Sequence, residues 1–67
     1  MSPKQIAAML KARREEKGLT QTGLAKRAKV SQAYVASIEA GARKNPSLAV
    51  LQKLAKALGV SVTELLG

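Results

Sequence analysis

Helix boundaries are spelled out along this chain. A Ser or Thr stands ahead of an apolar stretch at Ser2, Thr20, Ser31, Ser47 and Ser61, and glycine closes three of those stretches, at Gly18, Gly41 and Gly59. A Ser or Thr oxygen accepts from the unpaired amides of a first helical turn, and glycine readily takes the left-handed conformation that ends a helix. A chain divided in this way folds as short helices with short connections. Its 67 residues leave room for one domain, over residues 1–67, with a small core.

Ser2, with Pro3 at the first helical position and Gln5 two residues on, predicts a first helix in which Ile6, Met9 and Leu10 mark one face. Thr20 opens a second helix that turns Leu24, Ala25 and Ala28 inward. Ser31 caps a third, with Val35 and Ile38 sharing a face. A basic loop from Ala42 to Pro46 leads to a fourth helix, capped by Ser47, whose stripe is Leu48, Leu51, Leu54, Ala55 and Leu58. Ser61 and Glu64 have capping-box spacing ahead of a short fifth helix with Leu65 and Leu66. The β-branched residues sit singly and nothing alternates as a strand would, so the fold class is all-α, a compact five-helix bundle.

Cysteine and histidine are both absent, which excludes disulfides, thiolate zinc sites and the usual general base. The four acids, Glu15, Glu16, Glu39 and Glu64, do not form a metal-ligand cluster by spacing. No enzyme activity, metal or cofactor is expected. No apolar run approaches the ~18 residues of a membrane span, so a cytoplasmic protein without a membrane partner is the default expectation. Twelve Lys and Arg against four acids give a net charge of +8, which suits a polyanion; nucleic acid is the commonest.

Only Lys29-Val30-Ser31 separates the second and third helices, and so short a connection makes them cross steeply, as in a helix-turn-helix over about residues 21–40. At ~100° per residue, Val35 and Ile38 face the core, while Ala33, Ala36, Ser37 and Ala40 face away with Gln32 at the leading edge. That outward face is short-chained and nearly uncharged in a strongly basic chain. Small side chains let a helix approach another surface closely. Gln can pair with the N6/N7 edge of adenine, and an Ala methyl can pack on a thymine methyl. A helix buried against another protein would use alanines equally well, so both readings stand at this point.

The stretch Leu19-Thr20-Gln21, then Leu24-Ala25, Val30-Ser31, Ile38-Glu39, Gly41, Pro46-Ser47-Leu48 and Leu54-Ala55-Lys56-Ala57-Leu58-Gly59-Val60-Ser61 resembles the phage lambda repressor and Cro family of helix-turn-helix domains. The resemblance covers about residues 4 to 66. It implies sequence-specific binding of double-stranded DNA in the major groove, in a transcriptional regulator, a repressor, that acts as a homodimer on a palindromic operator. Position by position, it implies base reading by Gln32, Ala33 and Ser37. Gln21 matches a glutamine that holds a backbone phosphate, and Arg43, Lys44 and Asn45 fall in the loop that lies along the DNA backbone. Arg14 and Glu39 match a pair that ties the first helix to the third. That pairing is also expected physically, because a partly buried arginine on the flank of the core needs an anionic partner.

Two positions depart from the family pattern. Lys29 stands where a glycine is usual in the turn, at a cost on the order of 1 kcal/mol if the turn is left-handed. Gly23 stands where a capping acid is common, which weakens the start of the second helix. Tyr34, on the flank of the third helix, fits two roles equally: donor to a phosphate, or padding at the edge of the core. Val60, Val62, Leu65 and Leu66 likewise form either a dimer surface or the closing layer of the core. The alternative function is a protein-binding adaptor or antitoxin component built on the same fold.

Overall fold

The computed structural model describes residues 3 to 66, so the Ser2 cap lies outside the described residues. Within them the chain forms five helices and no strand: α1 (Pro3–Glu16), α2 (Gln21–Ala28), α3 (Gln32–Glu39), α4 (Leu48–Leu58) and α5 (Val62–Leu66). The other four caps are formed. Thr20 Oγ1 accepts from the Gly23 amide at 2.9 Å, Ser31 Oγ from Tyr34 at 3.0 Å, Ser47 Oγ from Val50 at 3.1 Å and Ser61 Oγ from Glu64 at 3.2 Å. Each satisfies an amide that the first helical turn leaves unpaired, and loss of such a cap costs ~1 kcal/mol. Gly23 suits its place better than the missing acid suggests. A Cβ there would stand 3.2 Å from Thr20 Oγ1, crowding the cap.

The turn between α2 and α3 is left-handed at Lys29, with φ at 59°. Its amide reaches the carbonyls of Ala25 and Lys26, and the Val30 amide donates to Ala25 O at 3.0 Å. Gly59 closes α4 in the same way, with the Val60 amide on Ala55 O at 3.0 Å. Lysine thus does a glycine's work in the α2–α3 turn and carries the associated backbone strain.

Leu10, Leu24, Val35, Ile38, Leu54, Leu58 and Leu65 meet in one buried cluster. α2 packs against both α3 and α4, α1 against α3 and α5, and α5 also against α4. Two expectations about the apolar faces need correction. Met9 is half-buried, and Ala7 joins Ile6 and Leu10 on the inward face of α1. Leu48 is 60% exposed, because the α4 stripe begins a turn before the part of the helix that reaches its neighbours. Of the residues open to either role, Leu65 is completely buried in the core. Val60, Val62 and Leu66 are partly buried against the same cluster, since so short a helix closes the bundle by laying its apolar side over α1 and α4.

Candidate nucleic-acid interface

α3 buries Val35 and Ile38 and exposes Gln32 and Ala33, and Ala40 at its C-cap is exposed as well. Ala36 and Ser37, expected to face outward, are half-buried. Beyond α3, the left-handed Gly41 turns the chain back, and the amides of Ala42 and Arg43 both donate to the Ser37 carbonyl, at 3.0 and 3.2 Å.

This fold-back lays Arg43 on α3. Its guanidinium carbon stands 3.9 Å from the centroid of the Tyr34 ring, a cation–π contact, and its Nε donates to Ser37 Oγ at 3.0 Å. Ser37 Oγ donates in turn to the Tyr34 carbonyl at 2.7 Å. The Tyr34 hydroxyl accepts from the Ser47 amide at 3.0 Å, tying α3 to the start of α4. The ring also packs against the core cluster. The Ser47 amide above all, with the charge of Arg43 acting the same way, holds the phenol below the usual tyrosine pKa. Lys44 and Asn45 are exposed, and with Ser37, Ala42 and Arg43 they line an open cleft of about 470 Å³.

A second set of bonds fixes the other end of α3. Arg14 Nε donates to Glu39 Oε2 at 2.7 Å and Arg14 Nη2 to Glu39 Oε1 at 2.9 Å, a bidentate pair between side chains that are 11% and 4% exposed. Arg14 Nη1 donates to the Leu19 carbonyl at 2.7 Å, so the same guanidinium also holds the segment entering α2. The bond to Glu39 keeps the arginine pKa above its ordinary value. Gln21 Nε2 donates to Glu39 Oε1 at 3.2 Å, which places the first side chain of α2 beside the end of α3. An amide nitrogen has two N–H groups, so this bond leaves one for another acceptor.

Sequence reasoning did not find the links from Arg43 to Tyr34 and Ser37, from Tyr34 to Ser47, or from Gln21 to Glu39. The usable signal for the first was the glycine stop at Gly41, which sends the next two residues back along the helix just ended. Among the described residues, the cations in ion pairs are Arg13 and Arg14, which engage Glu16, Glu64 and Glu39. Lys29 in the turn and Arg43 and Lys44 in the loop are outside those pairs. No group of three or more potential ligand residues that could hold a metal occurs among the described residues. No helix there is long and apolar enough to cross a membrane.

The helix-turn-helix family model matches residues 10–65, most of the chain and all of α2 and α3. The chain belongs to the helix-turn-helix family. Among its relatives is the immunity repressor protein of Bacillus phage phi105, 44% identical over 62 residues, which are 92% of this chain and 42% of that protein. This helix-turn-helix chain spans about half the length of such curated relatives; for SinR of Bacillus subtilis the share is 55%. Solved structures agree in fold. The restriction-modification controller protein C.AhdI from Aeromonas hydrophila has a TM-score of 0.89 at 36% identity, covering 94% of each chain. SinR, a master regulator for biofilm formation solved in complex with DNA, also has a TM-score of 0.89, at 40% identity over 92% of this chain and 98% of that one.

Proposed function

We propose that this chain binds double-stranded DNA in a sequence-specific way, with α3 in the major groove, and regulates transcription by occluding a promoter. The observation that carries this reading is the outer face of α3. It is short-chained and uncharged in a chain of net charge +8, and it is fixed to α1 and α4 by the bonds of Glu39 and Tyr34. Gln32 and Ala33, exposed at the start of α3, are the first base-facing residues. The remaining N–H of Gln21, the start of α2, Lys44 and Asn45 hold phosphates on either side. The descriptions of the phage immunity repressor and of the SinR–DNA complex support the same assignment.

One recognition helix reads few base pairs, so the functional unit is a homodimer on a palindrome with half-sites ~34 Å apart, one turn of DNA. With Leu65 in the core, Leu48 is the large apolar side chain left exposed among the described residues, and so available for a contact between copies.

The test is selection of bound duplexes from a random DNA pool at ~150 mM salt, where nonspecific attraction is weakened. A palindromic motif is expected, and Gln32→Ala should relax one position per half-site. Selection of no motif would overturn the proposal in favour of a protein-binding adaptor.

A further inference from the structure

The bonding around Ser37 reassigns a base contact. We propose that Arg43 reads a guanine in the major groove and that Ser37, instead of reading a base itself, is the residue that positions it. This rests on the reading of α3 as the DNA-facing helix. The hydroxyl of Ser37 has one proton to donate, and the Tyr34 carbonyl at 2.7 Å receives it. One of its lone pairs takes the Nε–H of Arg43 at 3.0 Å. Ser37 therefore has no donor left for a base edge.

Arg43 is restrained at three points: its amide on the Ser37 carbonyl, its Nε on the Ser37 hydroxyl, and its guanidinium carbon over the Tyr34 ring, 3.9 Å from the centroid. The N–H groups of its two Nη atoms stay available, and they match the O6 and N7 acceptors of guanine. A phosphate contact requires no such fixing, because a charge on a flexible stem serves, and exposed Lys44 next in the chain supplies one. The location is also right. Ser37 shares its helix face with Ala33 and Ala40, four residues before and three after, so the guanidinium docked on it lies along a face otherwise lined with methyl groups. Fixing the side chain in advance removes ordering entropy that an unrestrained arginine would lose on binding.

Selection and competition binding on the full chain separate the roles. The wild-type motif is expected to hold a guanine at one position of each half-site. Arg43→Lys keeps the charge but loses the fork and the Nε bond. It should lose ~5- to 150-fold discrimination at that position with the salt dependence unchanged. Ser37→Ala should relax the same position and no other. Arg43→Lys with its preference retained would make Arg43 a phosphate contact and overturn the proposal. So would Ser37→Ala changing a position that Arg43→Lys leaves alone. A wild-type chain that selects no motif would sink the DNA reading as well, a different result from a motif that survives Arg43→Lys.

Discussion

Glu39→Ala removes both oxygens that hold Arg14 Nε and Nη2, at 2.7 and 2.9 Å, and the acceptor for Gln21 Nε2 at 3.2 Å. Arg14 then keeps the Leu19 carbonyl at 2.7 Å as its partner. The two side chains are 11% and 4% exposed, so the solvent screening that reduces surface ion pairs to ~0–1 kcal/mol does not rescue the variant. Two hydrogen bonds between charged groups, at ~1.5–3 kcal/mol each, give a loss of ~3–6 kcal/mol. Breaking one side of a buried pair independently gives ~3–5 kcal/mol, because the remaining charge is stranded. A domain of this length has ~3–10 kcal/mol in all, at ~0.05–0.15 kcal/mol per residue. Glu39→Ala should therefore remove a third or more of the stability and lower Tm by at least about 12 °C. Urea titration followed by circular dichroism reads the loss. Glu39→Gln, which retains an acceptor oxygen, should fall between the variant and the wild type. Arg14→Met combined with Glu39→Leu should recover much of the loss, since no unpaired charge is then buried. A loss below ~1 kcal/mol for Glu39→Ala would refute the reasoning, placing the pair with surface ion pairs. A double variant no more stable than Glu39→Ala would refute the stranded-charge account.

Leu65→Ala should cost ~2–5 kcal/mol by leaving a cavity in the core, without changing how the unfolding midpoint depends on protein concentration. A concentration-dependent midpoint that the substitution abolishes would return Leu65 to an interface between copies. Lys29→Gly should raise stability by up to about 1 kcal/mol by relieving the left-handed lysine; an unchanged or lower urea midpoint would show that the turn is not strained. Tyr34 is the single tyrosine and there is no tryptophan, so near-ultraviolet absorbance follows its ionisation alone. Its midpoint should lie below the ordinary value of about 10 because the Ser47 amide and Arg43 favour the phenolate. Between the folded and unfolded midpoints the unfolded chain binds more protons, so this group adds stability as pH rises and retains it above both. A midpoint at or above the ordinary value would refute the contact with Ser47.

The helices were legible because their signals are local. Thr20, Ser31, Ser47 and Ser61 cap the turns they head, and Val35 and Ile38 face inward as their spacing requires. The apolar stripe of α4 was less informative at its first member. Periodicity says which side Leu48 lies on, but not whether a neighbouring helix extends far enough to cover it. The two outcomes open for the α5 residues differ only in what packs above them, which no local pattern encodes. Ser37 misled in another way. Its position on the helix wheel faces outward, yet the chain beyond Gly41 returns over it, and a wheel drawn for one helix contains nothing of the loop that follows.

α3 is eight residues long, too short to be stable alone, and its burial rests on Val35 and Ile38. Apolar burial has no directional preference, so two side chains hold such a helix down without fixing its rotation closely. Hydrogen bonds do have direction, and two polar ties hold α3 to its neighbours: the Tyr34 hydroxyl on the start of α4, and the Glu39 carboxylate on α1. Those ties lie off the outer face, but they set the angle at which Gln32 and Ala33 are presented. Glu39→Gln, studied at a temperature where it is fully folded, should therefore bind with a flatter base preference even though Glu39 touches no base. The comparison is between selected and scrambled duplexes at equal salt: a ratio that narrows supports orientation by the polar ties. A ratio equal to that of the wild type would mean that Val35 and Ile38 suffice to aim the helix.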